Sequence, residues 1–232
     1  MQDLGTILGV WAHPDDENYV SGGIMADAAR RGSRVVCVTA TRGEEGSWDH
    51  ERWPPDQMAR IRTAELEETL AILGVTEHHW LDYHDGGCDR ADPNEATAAV
   101  EAIMEEVRPH TVLTFGPDGM TGHPDHIAVS AWTTAAFSRV AAPARLHYAT
   151  TTPEWVEKFY DRLQQFDVYA EGTPPITARS ECSIHFALAD DLLDVKVKAA
   201  KAQVSQIEAM LAVLGDGFFV EGLKEEAFRA AD

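Results

Sequence analysis

The stretch Thr6-Ile7-Leu8-Gly9-Val10-Trp11-Ala12, followed directly by His13-Pro14-Asp15-Asp16-Glu17, decides how this chain folds. Its first part is a short apolar run without polar alternation, which is typical of a strand buried on both faces of a parallel sheet. A helix is predicted next, from Tyr19 to Arg31, with Gly32 as its C-terminal cap. A buried strand that passes through a polar loop into a helix is the building unit of α/β proteins.

The same alternation continues along the chain. Further strands are predicted at residues 34–40, 79–81, 111–115, 146–150 and 183–188. Further helices are predicted at residues 56–73, 93–108, 125–140, 154–165 and 191–214. We therefore predict an α/β fold, a Rossmann-like and mostly parallel sheet with helices on both faces. No linker rich in Pro, Gly or Ser divides the sequence, so residues 1–232 are predicted to form a single domain, with a core at 1–150 and a less regular part at 151–232.

The composition excludes several classes of partner. The chain has 232 residues, with 19 Lys and Arg against 39 Asp and Glu, and a formal net charge of −20. Nucleic acids and anionic membranes attract basic surfaces, so we expect neither as a partner. No apolar run approaches the ~18 residues of a membrane span. Most of the acidity, including Glu225-Glu226, is interpreted as solvated helix faces.

The cysteines and the start of the chain favour a reduced compartment. Cys37, Cys88 and Cys182 are odd in number and lack metal-type spacing, and Cys37 lies in an apolar run typical of the core. The start, Met1-Gln2-Asp3-Leu4-Gly5, lacks the basic and apolar segments of a signal peptide. We therefore expect a cytoplasmic protein.

Two loops carry residues that can bind a metal ion. His13-Pro14-Asp15-Asp16-Glu17 follows the first strand, and His123-Pro124-Asp125-His126 follows the strand at 111–115. Because the carboxyl ends of parallel strands meet at one edge of a sheet, we expect the two loops to lie together. Two histidines and one carboxylate form the ligand set of a catalytic zinc ion that keeps an open position. Each loop by itself is also explained as a helix cap, with Asp125 as the N-cap of the second helix.

These paired motifs resemble those of the PIG-L/LmbE family of zinc-dependent N-deacetylases, which remove acetyl groups from N-acetylglucosamine conjugates. Four further segments support the resemblance: Thr41-Arg42-Gly43-Glu44, Arg62-Thr63-Ala64-Glu65-Leu66, Asp85-Gly86 and the predicted helix that contains Lys198 to Gln206. The resemblance implies an LmbE-like fold and metal-dependent hydrolysis of an N-acetyl amide. It also implies a small acetylated amino sugar as substrate, and it suggests a homo-oligomer.

The resemblance assigns a role to each residue of the two loops. It makes His13, Asp16 and His126 the ligands of one Zn²⁺ per chain, although the same residues also suit Fe²⁺ or Co²⁺. Asp15 becomes the general base for a zinc-activated water. His123 is expected to stabilise the oxyanion or to protonate the leaving amine, and Asp125 either orients His123 or caps the helix.

Two residues outside the loops are predicted to bind substrate. Arg62 lies on the apolar stripe of the predicted helix at 56–73, where its guanidinium needs a ligand or an ion pair with Glu65 or Glu44. Asp85 follows the third strand, and its carboxylate suits sugar hydroxyls unless it only forms a turn with Gly86.

The sequence also departs from the family at two positions and leaves two other functions open. Thr121 stands where the thiol-biosynthesis members carry Tyr, and Val204 stands where many relatives carry His. One alternative is a zinc amidohydrolase for a non-sugar or antibiotic-linked amide. The other is a nucleotide-binding Rossmann module without catalysis. Two observations argue against it: no Gly-x-Gly-x-x-Gly turn follows the first strand, and Gly22-Gly23 lies inside the predicted helix.

Overall fold

The computed structural model describes residues 3–140, 144–169 and 174–231. Within these residues a seven-stranded sheet has the order β3-β2-β1-β4-β5-β7-β6. The strands are β1 Ile7–Trp11, β2 Val35–Thr41, β3 Glu77–Tyr83, β4 Thr111–Phe115, β5 Arg145–Thr150, β6 Ile184–Ala187 and β7 Glu225–Ala230. Strands β1 to β5 pair in parallel, and β7 is antiparallel to both β5 and β6. The predicted α/β fold with a mostly parallel sheet is confirmed.

Helices cover the sheet. They are α1 Asp16–Arg30, α2 Met58–Leu73, α3 Pro93–Val107, α4 Pro124–Arg139, α5 Pro153–Leu163, α6 Asp190–Ala202, α7 Val204–Leu214 and α8 Asp216–Gly222. Helices α1, α2 and α6 contact one another, and α3 contacts α4. Every residue of β1, β2 and β4 is buried, which requires cover on both faces of the sheet and explains why these strands are continuous apolar runs. None of the described helices has the length and apolar character needed to cross a membrane.

The long helix predicted over 191–214 is wrong, because the chain breaks at Gln203 into α6 and α7. Gln203 has φ −84° and ψ 52°, and its side-chain Nε2 donates to the buried carboxylate of Glu17 at 3.2 Å. Neither Gly nor Pro marks this point in the sequence. A contact with a residue far away along the chain ends the helix, so the local pattern could not predict it.

The interpretation of Glu225-Glu226 as a solvated helix face is also wrong. Both residues lie in β7, and the side chain of Glu226 is buried in an ion pair with Lys196 of α6, with Nζ and Oε1 2.7 Å apart. The carboxylate of Glu226 also accepts the N–H groups of Gly23 and Ile24 in α1 at 2.6 and 2.8 Å. These tertiary partners make a buried carboxylate tolerable.

Smaller differences concern the ends of elements and the thiols. Helix α1 begins at Asp16 rather than Tyr19, so the acidic residues Asp16 and Glu17 form its first turn, where the helix dipole favours negative charge. Strand β3 is longer than predicted and half-buried, as expected at a sheet edge. All three cysteines are free thiols, and Cys37 is buried in the core as predicted.

Candidate active site

The loops that follow β1 and β4 meet above the centre of the sheet. β1 pairs directly with β4 although about a hundred residues separate them, so the carboxyl ends of these two strands are neighbours. Nδ1 of His13 and Nε2 of His126 are 3.1 Å apart. The two predicted metal-binding loops therefore form one cluster.

The ring of His126 is held in one orientation from two sides. It stacks on Phe115, the last residue of β4, with centroids 4.0 Å apart and planes 5° from parallel. Its Nδ1 lies 3.0 Å from the carbonyl oxygen of Gly119, which requires a proton on Nδ1. Burial lowers the pKa of His126 to about 4, so the ring is neutral. Its Nε2 therefore presents a lone pair to the cluster.

Two carboxylates contact the His13 ring at Nε2, whereas its Nδ1 faces His126. Its Nε2 lies 3.0 Å from Asp85 Oδ1 and 3.3 Å from Asp125 Oδ2. Burial lowers the pKa of His13, but the hydrogen bonds to Asp125 and Asp85 and the charge of Asp16 outweigh it and raise the pKa to about 10. This surrounding of carboxylates favours a positive charge at His13, which either a proton or a metal ion can supply.

Asp16 brings a carboxylate next to both histidines, and the three predicted ligands, His13, Asp16 and His126, are here called the ligand triangle. Its Oδ1 is 3.4 Å from His126 Nε2, and its Oδ2 is 3.6 Å from His13 Nδ1. Oδ2 also accepts the backbone N–H of His13 at 2.7 Å, which fixes the carboxylate. Ligand atoms bound tetrahedrally to zinc at 2.0–2.1 Å lie about 3.3 Å from one another. These distances are close to that value. Among the described residues, the groups whose ligand atoms lie close enough together to hold one metal ion are His13 with His123 and His126, and His13 with Asp85 and Asp125. The ligand set of His13, Asp16 and His126 stays a prediction.

Asp15 lies beside this triangle in a strained conformation. Its φ of 115° is one that a residue with a side chain rarely adopts, and such strain is concentrated at functional sites. The backbone N–H of Asp15 donates to Glu17 Oε2 at 2.9 Å. Burial raises the pKa of Asp15 to about 7, while the charge of Arg62 opposes the rise.

Arg62 reaches Asp15 from helix α2, on the inward face that the sequence predicted. Its guanidinium is 3.2 Å from Asp15 Oδ2 and donates to the carbonyl oxygens of Pro14 and, at 3.1 Å, Gly43. Gly43 has φ 65°, and a Cβ at this position would overlap the guanidinium. The ion pair of Arg62 is with Asp15, not with the predicted alternatives Glu65 or Glu44.

The contact between His123 and Asp125 differs from the one expected from sequence. His123 is itself the N-cap of α4, because its Nδ1 accepts the backbone N–H of Asp125 at 3.2 Å; the alternative of Asp125 as N-cap is wrong. The carboxylate of Asp125 contacts His13 instead and accepts the N–H groups of Gly86 and Cys88 at 2.7 and 3.0 Å. Burial lowers the pKa of His123, so its ring is neutral with the proton on Nε2.

Comparison with known proteins agrees with this cluster. Residues 8–137, more than half of the chain, match the family described as PIG-L: GlcNAc-PI de-N-acetylase. The chain belongs to the PIG-L family.

One curated relative and two solved structures define the likeness further. The 1D-myo-inositol 2-acetamido-2-deoxy-alpha-D-glucopyranoside deacetylase of Mycobacterium sp. (strain KMS) is 34% identical over 235 residues, covering 89% of this chain and 72% of that protein. N,N'-diacetylchitobiose deacetylase from Pyrococcus horikoshii has a TM-score of 0.67 at 20% identity, covering 99% of this chain and 85% of that one. A deacetylase in the biosynthesis pathway of teicoplanin has a TM-score of 0.70 at 17% identity, covering 98% and 99%. The two structures share the fold of this PIG-L protein.

Two residues of the site were not assigned a role from sequence. Glu17 is fully buried, holds the N–H of Asp15 and accepts the amide of Gln203. Gln203 lies in the C-terminal part of this PIG-L chain, at the break between α6 and α7. Glu17 stands inside the quoted acidic motif, so a signal for it was present, whereas Gln203 had none. Of the two departures from the family, Thr121 lies 3.2 Å from His126 Nδ1 and Val204 is 40% exposed.

A cavity of about 570 Å³ opens from the cluster. His13, Asp15, His126, Arg62 and Asp85 are among the residues that line it. It is also lined by six apolar residues, here called the apolar wall: Trp155, Phe159, Met210, Leu214, Phe218 and Phe219. A volume of this size accommodates a small organic substrate.

Proposed function

We propose that this PIG-L protein is a metal-dependent N-deacetylase that hydrolyses the acetyl amide of an N-acetylglucosamine-type conjugate. The observation that carries the proposal is the convergence of His13, Asp16 and His126 beside the strained and half-buried Asp15. Support also comes from the curated relative at 34% identity, which is named as a deacetylase of a 2-acetamido sugar.

His13, Asp16 and His126 would hold the metal ion, and Zn²⁺ fits their spacing, while Fe²⁺ or Co²⁺ suit the same ligands. When bound, such an ion lowers the pKa of a water molecule and polarises an amide carbonyl. Asp85 and Asp125 support this role, because their contacts with Nε2 of His13 leave Nδ1 directed to the cluster.

Asp15 acts as the general base and accepts a proton from the attacking water on its carboxylate. Its neighbour Asp16 belongs to the ligand triangle, so the base is placed next to the reacting atoms. Arg62 orients this carboxylate through the ion pair at 3.2 Å. Arg62 and Asp85 both line the cavity, so each can also contact sugar hydroxyls, as predicted from sequence.

His123 donates a hydrogen bond from Nε2 to the oxyanion that forms at the former carbonyl oxygen. Its Nδ1 accepts the N–H of Asp125, which keeps the proton on Nε2. The proton that Asp15 accepted from the water passes to the leaving amine as the tetrahedral intermediate collapses, which returns Asp15 to the carboxylate. His123 is neutral and would become an imidazolate if it gave up its only ring proton, so its role is limited to the oxyanion. A cytoplasmic location and a homo-oligomer remain predictions.

Metal analysis combined with an amine-release assay tests the function. We expect one metal ion per chain, and release of acetate from at least one member of a panel of N-acetylglucosamine conjugates. Acetylated amines without a sugar serve as the matched controls and are expected to react more slowly. Release of acetate only from those controls would identify a non-sugar amidohydrolase. A metal-free chain that binds nucleotide would instead support the non-catalytic alternative.

A further inference from the structure

The residues that line the cavity come from both sides of the cluster, and the two sides differ in chemistry. The strand order puts β2 and β3 on one side of the β1–β4 pair, and β5 and β7 on the other. Polar residues come from the first side: Glu45 follows β2, Asp85 follows β3, and Arg62 lies on the helix between these strands. Trp155 and Phe159 follow β5, and Phe218 and Phe219 precede β7. The ligand triangle therefore separates a polar half of the cavity from an apolar half.

The four aromatic members of the apolar wall pack through their rings, either against one another or against Tyr19. The ring of Phe159 lies 5.3 Å from that of Trp155 and 5.1 Å from that of Phe218. Phe219 lies 6.4 Å from the ring of Tyr19, which belongs to α1 one turn after Asp16. This contact makes the wall continuous with the helix that carries the metal ligand.

Four residues on the same side of the cavity, Thr151, Thr152, Trp155 and Glu226, have polar groups that already have partners within the protein. Thr152 Oγ1 donates to Glu225, Thr151 Oγ1 donates to the carbonyl oxygen of Pro175, and Trp155 Nε1 donates to that of Gly222. The carboxylate of Glu226 is occupied by its ion pair and by two backbone N–H groups. A sugar hydroxyl placed here would lose its hydrogen bonds to water without replacement, which is unfavourable.

The proposed function decides which part of a substrate faces each half. An acetyl group has only two carbons and cannot fill the apolar half of a cavity of about 570 Å³. In an N-acetylglucosamine conjugate the acetamido carbon is bonded to the anomeric carbon that carries the aglycone, and the free hydroxyls are on the other side of the ring. With the acetamide at the ligand triangle, the hydroxyls face Arg62 and Asp85, and the aglycone faces the apolar wall.

We propose that the apolar wall binds an apolar aglycone, an alkyl or aryl group, on the acetylated amino sugar. This inference rests on the proposed function and deepens it by naming the substrate class. It separates this chain from the mycobacterial relative, which is named for a substrate with inositol at the corresponding position.

A series of N-acetylglucosamine glycosides with methyl, butyl and octyl aglycones tests the inference in turnover. Each methylene that becomes buried should raise kcat/KM about fourfold, so three buried methylenes should give about a 60-fold preference for octyl over methyl. Met210→Gln should reduce this preference at least tenfold, because it puts an amide into the apolar wall at similar volume. Val213→Gln is the matched control on the same helix, since Val213 is 60% exposed and does not line the cavity. It should leave the preference within twofold.

A binding measurement separates failure of the inference from failure of the function. Octyl and methyl glycosides of glucosamine carry no acetyl group, so their binding is measured without turnover. Calorimetry below the critical micelle concentration should show that the octyl glycoside binds more tightly than the methyl glycoside. Met210→Gln should weaken the binding of the octyl glycoside. If no glycoside releases acetate but this binding pattern holds, the proposed function fails and the apolar subsite stands. If both aglycones bind and react equally well, the inference fails and the deacetylase function stands. Preference for N-octanoyl over N-acetyl glucosamine would also overturn it, because the wall would then hold the acyl chain.

Discussion

The buried ion pair between Lys196 and Glu226 should make the stability of the fold sensitive to a single conservative substitution. Both side chains are completely buried, with Nζ and Oε1 2.7 Å apart. Lys196 Nζ also donates to the carbonyl oxygen of Tyr19 at 3.0 Å, and Glu226 accepts two N–H groups of α1. Gly23 permits this approach, since a Cβ there would lie 3.2 Å from the Glu226 carboxylate and overlap Leu188. The pair therefore fixes α1, the helix whose first turn contains Asp16, against α6 and β7.

The Glu226→Gln change keeps the shape of the side chain and removes its charge. It leaves the Lys196 ammonium buried without a counter-ion, at a cost of about 3–5 kcal/mol. The new amide group also faces a donor, and one unsatisfied buried donor costs about 1–3 kcal/mol. We expect a loss of about 4–8 kcal/mol in the free energy of unfolding, a large share of the 5–15 kcal/mol typical of a domain. Lys196→Met alone should cost about 3–4 kcal/mol, because the stranded carboxylate keeps its two N–H donors.

Urea denaturation followed by circular dichroism at neutral pH measures these values. The double variant Lys196→Met/Glu226→Gln should cost at least about 3 kcal/mol less than the sum of the single changes, because it leaves neither charge unpaired. Asp191→Asn is the matched control on α6, since it breaks an exposed pair with Arg30 and should cost at most about 1 kcal/mol. Single changes that cost less than about 1 kcal/mol, or costs that simply add, would refute the coupling of the two charges.

Three further predictions concern the site and one histidine outside it. Asp15→Asn should keep the metal content of the unmodified chain and lower kcat at least about 10²-fold, because only the base is lost; loss of the metal would contradict the assignment of Asp15. His126→Ala should lose both metal and activity, since it removes one of three ligand atoms, and a fully metallated, active variant would rule out this metal site. Burial lowers the pKa of His78 from 6.5 to about 4, so the unfolded chain takes up a proton first as the pH falls. The free energy of unfolding should therefore contain a component that is complete above pH 6.5 and is lost towards about pH 4. His78→Gln should remove this component, and a pKa near 6.5 for His78 by NMR would exclude it.

Much of the central sheet was predictable because the burial of its strands is visible in the residue types of each strand. The apolar runs around Leu8, Val36 and Leu113 are continuous because both faces of these strands are covered. The outer strands were harder. β7 contains Glu225-Glu226, whose pattern favours a solvated helix unless the buried partner Lys196 is known. Gln203 breaks a predicted helix for the same reason, since Glu17 is its partner.

The meeting of the two metal-binding loops was predictable as well, and their internal arrangement was not. Residue types and the strand pattern were sufficient to select His13, His126 and one carboxylate of the first loop, and to place them at one edge of the sheet. The family resemblance, not the pattern, singled out Asp16 as that carboxylate. The contacts of Asp85 and Asp125 with His13, and of Arg62 with Asp15, were not among the expectations. These contacts join side chains whose elements become neighbours only in the assembled sheet.

The sequence by itself determined the alternation of buried strands and helices, the common edge of the two loops and the residue types that can bind a metal ion. Local patterns carry this information because backbone conformation and strand burial depend on adjacent residues. Only the tertiary structure decided which nitrogen of His13 faces the cluster, where Lys196 neutralises Glu226, and that one half of the cavity is apolar. Those properties arise from side chains far apart along the chain, whose hydrogen bonds, ion pairs and ring contacts form only after the sheet brings them together.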